Sequence, residues 1–250
     1  MTDPRFIVAQ IGSHRGYAVP AILDRAGWLE RFYTDLCGDL GWGRQLARAR
    51  FVPGLRPSLS RLAGRRLPDR VRRRSRTFGW PACRHALRAA RMGDPASTFR
   101  EHLRFSDALG RAMARAGYGE ATHVYSMLGE CAPFLIEASR HGLKIVSDVY
   151  IPLSTERILA EERRAFPGCE PDVPDLAAIR REARREDVLL TRTDHFVCAC
   201  PAVRDDLVKN YGVPRDRTSL VPLGLEPRWL GVEPNLVRGR VLFAGTAELR

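Results

Sequence analysis

DHFVCACPAVRDDLVKNYGVPRDRTSLVPLGLEPRW, residues 194–229, is the stretch whose reading decides the fold. It opens on a short apolar run, His195 to Ala199, too short for a helix and suited to a buried strand. Pro201 follows at a position where a helix begins without losing a backbone hydrogen bond, and Val203, Leu207 and Val208 recur at helical spacing up to Tyr211. Gly212 stops the helix, and a second apolar run, Ser219 to Val221, is closed by Pro222 and Gly224. Strand, helix and strand of these lengths make a parallel crossover unit. The expected fold is therefore an open α/β sheet, and such sheets bind ligands at the carboxyl ends of their strands.

The same alternation runs back to the start of the chain. Arg5 to Ile11 reads as a strand buried on both faces, Gly12 to Gly16 as a turn, and Tyr17 to Ala26 as a helix with Val19, Ile22, Leu23 and Ala26 on one side. Glycine at position 12 allows a tight turn that leaves backbone amides open to a ligand. The spacing is G-x-x-x-G, and no acidic residue closes a second strand in the manner of a dinucleotide fingerprint, which argues against NAD. Trp28 to Asp35 reads as a second strand, with Asp35 at the same edge as His14. Ser97 to Ala116 is a long amphipathic helix, Thr122 to Met127 a strand, Gly129 to Gly142 a helix, and Leu143 to Ser147 a strand with Asp148 at its end. Ser154 or Thr155 is expected to cap a helix carrying Glu161 and Glu162, which point roughly 100° apart and so do not face each other as an acid–base pair. Asp175 to Leu190 is a further charged helix. Strands near Ile7, Val124, Ile145 and Val197 are thus expected to lie parallel and adjacent, gathering Gly12, His14, Tyr125 and Asp148 along one edge.

With 250 residues, 44% hydrophobic content and a mean hydropathy of −0.26, the chain has the composition of a soluble globular protein. No apolar run approaches the roughly 20 residues that span a bilayer, and MTDPR followed by a short apolar strand is not a secretion signal, so a cytoplasmic location is expected. The cysteines are scattered apart from Cys198 and Cys200. That C-x-C pair with His195 lacks a second ligand cluster, so small buried thiols are expected and no metal.

The charge balance is +12, and 39 of the 41 basic residues are arginine. From Arg44 to Arg91 there are fifteen arginines and one acid, Asp69. Apolar residues including Trp42, Leu62, Val71 and Trp80 are interleaved with them, in helices expected to break near Pro53, Gly64 and Gly79. Four readings of this basic segment stand at this stage: a solvated helical insertion, a surface for an anionic polysaccharide or nucleotide, an anionic membrane surface, and a nucleic-acid surface. The last is disfavoured because no helix-turn-helix, zinc-finger spacing or aromatic RNA-binding strand accompanies the charge.

RFIVAQIGSHRGYAVPAIL (5–23), the VPLG of residues 221–224 with the unit before it, and VLFAGTAELR (241–250) together resemble stretches of retaining GT-B glycosyltransferases of family 4. The resemblance implies a Rossmann-like parallel sheet with helices on both faces, forming the acceptor-side domain over residues 1–228, with a basic helical insertion at about 41–97. Residues 229–238 would link it to a donor-binding domain, of which 239–250 would be the first strand. The implied activity is transfer of a sugar from a nucleotide sugar to an acceptor hydroxyl with retention, without cofactor or metal, the chain being inactive alone. The acceptor would be a glycan or lipid-linked molecule, handled at the inner face of the membrane, with a missing C-terminal domain as partner. Gly12, Ser13 and His14 would face acceptor and donor phosphate, and Asp148 would hold acceptor hydroxyls. Tyr125 stands where many members carry the second histidine of H-x-H, which weakens a catalytic role for that position. Gly245 and Arg250 are candidates for the donor phosphate, and the catalytic residues themselves would lie downstream. The alternative is a non-catalytic α/β module that binds or responds to an anionic ligand.

Overall fold

The computed structural model describes residues 3–49, 56–168, 178–179, 185–224, 231–233 and 237–239. One seven-stranded sheet organises them, in the order β3-β2-β1-β4-β5-β6-β7. Its strands are β1 (Phe6–Gln10), β2 (Leu29–Thr34), β3 (Ser75–Thr77), β4 (His123–Met127), β5 (Lys144–Val149), β6 (His195–Cys198) and β7 (Thr218–Leu220). Every neighbouring pair is parallel. The described helices are α1 (Ala18–Arg25), α2 (Gly41–Arg48), α3 (Arg56–Gly64), α4 (Asp69–Arg73), α5 (Gly79–Ala89), α6 (Pro95–Ala116), α7 (Ala132–Arg140), α8 (Thr155–Ala165), α9 (Arg185–Arg192) and α10 (Pro201–Tyr211).

The sheet is covered on both faces, which explains the continuous apolar runs. Val8, Leu29 and Phe32 pack with Tyr17, Leu67 and Val71 on the face that α1 and α4 cover. Ile7, Ala9, Tyr33 and Val124 pack with Phe105, Leu109 and Phe134 on the face that α6 and α7 cover. Phe32 and Tyr33 are adjacent in sequence, point to opposite faces, and are both fully buried. Each such side chain contributes about 1.5–3 kcal/mol of burial. A third cluster, Val149, Phe196, Cys198, Val203, Leu207 and Val213, seats α10. That helix follows the opening quotation closely: Pro201 stands in its first turn and Gly212, at φ 66°, ends it.

The basic segment is helical, as its composition indicates, and it also supplies the edge strand β3, which the sequence reading missed. Ser-Arg-Thr is too short and polar to stand out as a strand. Its register, Phe32↔Ser75 to Thr34↔Thr77, comes from β2 and not from an apolar pattern of its own. Leu62, Leu67 and Val71 from the same segment are buried, so these helices form part of the domain's own core. The linker and strand expected from 229 to 250, Gly245 and Arg250 among them, lie outside the described residues except for the short pieces at 231–233 and 237–239. Among the described residues no helix is long and apolar enough to cross a membrane.

One close approach sets the position of α2. A Cβ on Gly43 would lie 2.1 Å from the carbonyl oxygen of Cys37 and 2.9 Å from its carbonyl carbon, both backbone atoms of a buried residue. Alanine normally improves a helix interior by about 0.8–1.0 kcal/mol over glycine. Here we expect the opposite sign: Gly43→Ala should destabilise by about 1–3 kcal/mol, the range for overpacking. Thermal unfolding checks it, and an unchanged or higher Tm would show that α2 can move away freely.

Candidate functional site

The winding of the sheet reverses between β1 and β4, since β2 and β3 lie on one side of β1 and β5 to β7 lie beyond β4. Open α/β sheets have their crevice at such a reversal, outside the carboxyl ends of the strands. Two loops meet there, residues 11–17 after β1 and residues 128–131 after β4. They are tied directly: the Ile11 amide donates to Glu130 Oε2 at 3.1 Å, and His14 Nε2 stands 3.3 Å from Glu130 Oε1.

The β1 loop is held in a conformation that L side chains rarely adopt. Arg15 (φ 51°), Gly16 (φ 58°) and Tyr17 (φ 65°) are consecutive left-handed residues, and Gly12 is at φ 73°. Cys131, at φ 51°, is the other described non-glycine residue of this kind, and it too lies at the carboxyl edge. Such residues cost roughly 1–3 kcal/mol each and persist where the surroundings fix them. Gln10 Nε2 donates to the carbonyl oxygens of Gly12 (2.9 Å) and His14 (3.4 Å), and Asp35 Oδ1 accepts from the Gly12 amide at 3.0 Å. Tyr17 drops its ring into the core, edge-on to Phe32, and Arg15 Nη2 reaches Asp148 Oδ1 at 3.0 Å.

The sequence-predicted residues are therefore brought together, with altered duties for two of them. Asp148 lies within β5, one residue before its end, and is only 5% exposed. Its carboxylate faces Arg15 and lies beside Tyr125, so it acts chiefly on the protein's own loop. Burial pushes its pKa up, while Arg15 and Tyr125 pull against that. Tyr125 is held un-ionised, its pKa raised first by burial and then by the neighbouring Asp148. Asp35 is likewise occupied, by Gly12, by the Thr34 hydroxyl at 3.1 Å and by Arg65 Nη1 at 3.2 Å. Ser13 sits at the start of the single-turn helix His14–Tyr17 without a side-chain capping bond. His123 is away from this edge; it stacks on Phe6, and burial lowers its pKa.

His14 is the exposed titratable member, its side chain 40% accessible. The hydrogen bond to Glu130 raises its pKa above 6.5; burial opposes this, and the charges of Glu130 and Asp148 add to the rise. Glu130, 17% exposed, escaped the sequence reading because it passed for the first residue of a helix. It stands in the turn before α7, and an acid between a strand end and a helix was the available signal. Arg15 and Arg65 were hidden among many arginines.

Beside this cluster lies a cleft of ≈ 700 Å³ between α6 and the loop from β5 to α8. Phe99, Leu103, Leu128 and Ile151 give it apolar surface, and His102, Ser106, Glu130, Asp148, Thr155 and Glu156 contribute polar groups. Tyr150 also lines it, with its ring 6.5 Å from that of His14. Among the described residues no group of three or more His, Cys, Asp or Glu is placed to hold a metal ion. Cys37, Cys131 and Cys198 are buried thiols as expected, whereas Cys200 is exposed because it immediately precedes α10 at the surface.

No family model and no curated protein matches the chain. Solved structures of similar course include TcCGT1 in complex with UDP, at 14% identity and TM-score 0.48, covering 96% of this chain and 53% of that one. Arabidopsis thaliana UGT89C1 complexed with UDP-L-rhamnose follows at 15% identity and TM-score 0.43, covering 94% and 56%. The same protein complexed with UDP gives 12% identity and TM-score 0.43, covering 90% and 50%. The chain thus spans about half the length of these structures. None of these is named as a family 4 enzyme, and the family 4 membership expected from the terminal stretches is withdrawn. Strand–glycine–helix units and a VPLG turn report how a chain folds into a Rossmann-like domain. They do not separate one glycosyltransferase family from another.

Proposed function

We propose that this domain is the acceptor side of a glycosyltransferase that moves a sugar from a nucleotide sugar to a hydroxyl group. The observation that carries the reading is the His14–Glu130 pair at the reversal point of the sheet, with Glu130 also lining the adjacent cleft. With Nε2 3.3 Å from Glu130 Oε1, the carboxylate favours the proton on that nitrogen, which leaves the lone pair of neutral His14 on Nδ1. That nitrogen takes the proton of an acceptor hydroxyl as its oxygen bonds to the anomeric carbon. The bond from that carbon to the diphosphate oxygen breaks, and its electrons leave with the nucleotide. The imidazolium so formed is stabilised by the Glu130 carboxylate. The strained β1 loop, clamped by Asp35, Asp148 and Gln10, keeps the imidazole at a fixed height above the sheet.

A base paired on the acceptor side suits one direct displacement, so we read the transfer as inverting and not as the retention expected from the family resemblance. The cleft suits an acceptor with an apolar body and a hydroxyl, because Phe99, Leu103, Leu128 and Ile151 line it and Glu130 joins it to His14. The complete protein, supplied with isotopically labelled nucleotide sugars and alkyl or aryl alcohols, should form glycosides whose anomeric proton coupling reports inversion. Leu103→Trp, which narrows the cleft, should raise the acceptor KM at least tenfold with little change in donor KM. Failure to transfer from any nucleotide sugar, or an unaltered acceptor KM in Leu103→Trp, would contradict the reading.

A further inference from the structure

We propose that the paired helices α2 and α5 form a docking surface for an anionic lipid membrane. Their outer sides carry the largest exposed aromatic side chains of the basic segment: Trp42 is 58% exposed and Trp80 is 66% exposed. The start of α5 packs against Trp42, since a Cβ on Gly79, the residue before Trp80, would lie 3.1 Å from Trp42 Cβ. On α5, Trp80, Arg84 and Leu87 follow at intervals of four and three residues, which places them on one stripe, and Leu87 is also 66% exposed. Arg44 and Arg48 extend from α2, both exposed. Arg44, Arg84 and the nearby Arg91 engage no carboxylate among the described residues.

The inward sides of these helices have a different character. Gly43 and Ala47 of α2 and Ala82 of α5 are buried, so small residues face the core while bulky apolar and cationic residues face out. That distribution is the reverse of what a solvated helix needs. Tryptophan and leucine among arginines on an exposed helical surface match the boundary between lipid headgroups and acyl chains, where the rings insert and the guanidinium groups meet phosphate. A protein partner would not call for so uniform a charge, and a solvated surface would not call for the tryptophans. The position of the surface is also informative. Helix α5 packs on α6 through His85 stacked on Phe105, and α6 supplies Phe99, His102 and Leu103 to the cleft wall. A membrane held by α2 and α5 is therefore one helix away from the cleft.

The test is sedimentation of the full-length protein with vesicles made of phosphatidylcholine alone or with an equal part of phosphatidylglycerol. Wild-type protein should bind the mixed vesicles, with tryptophan emission shifted to shorter wavelength, and should be released by high salt. An arginine near an anionic surface is worth about fivefold in partitioning, so Arg44→Glu with Arg84→Glu should weaken binding at least about 25-fold. Trp42→Ala with Trp80→Ala should abolish the emission shift and weaken binding while leaving the unfolding temperature near that of wild type. Equal binding to both vesicle types, no binding by folded wild-type protein, or tighter binding to single-stranded RNA than to the mixed vesicles would each overturn the proposal. The readout is independent of sugar transfer, so its failure and the failure of the catalytic reading are separate results.

Discussion

His14→Ala should lower kcat/KM for glycosyl transfer by about 10²–10⁴-fold, the usual contribution of a positioned general base. The unfolding temperature should move little, because the His14 side chain is 40% exposed and its close polar partner among the described residues is Glu130. The sign of the linkage supports that split. A histidine with a raised pKa contributes stability that is fully present below 6.5 and is lost as pH rises through the folded-state value. At the pH where the imidazole is neutral and works as a base, the pair therefore adds nothing to stability through charge. Glu130→Gln removes the carboxylate that stabilises the imidazolium but keeps an oxygen able to accept from the Ile11 amide. It should lower the rate by less than His14→Ala. Kinetics and thermal unfolding of both variants, measured together, check this ordering, and a variant that loses activity only in proportion to folded protein would speak for a structural pair.

Asp148→Asn should separate activity from stability in the other direction. The buried carboxylate has a raised pKa, so the folded state favours its neutral form and its charge costs stability at neutral pH. That cost is relieved as pH falls through the raised value. Asparagine removes it, and Arg15, 24% exposed, can turn to water. We therefore expect an unfolding temperature at or above that of wild type at pH 7. Activity should nevertheless fall by about 1.5–3 kcal/mol of transition-state stabilisation, the range for a hydrogen bond to a charged group. The loss comes through the β1 loop: without the grip on Arg15, the left-handed run from Arg15 to Tyr17 no longer holds His14 in place. Arg15→Ala should cost a similar amount, and the double variant little more than either, since both break one interaction. Additive losses would show that Asp148 contacts the acceptor directly.

Four neighbouring strands and the ends of one helix were legible because they rest on local chemistry. Pro201 and Gly212 bound α10, and the apolar runs near Ile7, Val124, Ile145 and Val197 became four adjacent parallel strands. The strand Ser75–Thr77 was not legible, since an edge strand of three polar residues owes its conformation to its neighbour. The site divided in the same way. Sheet geometry gathers Gly12, His14, Tyr125 and Asp148, because strand ends can be placed from sequence. Which carboxylate serves which group depends on loops that meet in space, 116 residues apart for His14 and Glu130. The family resemblance favoured Asp148 as the acid that meets the acceptor, while the structure puts Glu130 beside the imidazole and turns Asp148 toward Arg15. Family membership was the least legible of all, since the motifs that suggested it belong to the fold.

The central claim is that His14, tuned by Glu130, is the base at an acceptor cleft, and the pH dependence of kcat/KM tests it most directly. In the complete wild-type protein the rate should rise with pH through an apparent pKa above 6.5, as the imidazole loses its proton. In Glu130→Gln that limb should move to lower pH while the plateau falls. Superimposable limbs in the two proteins, with no titration near neutrality that His14→Ala removes, would contradict the account.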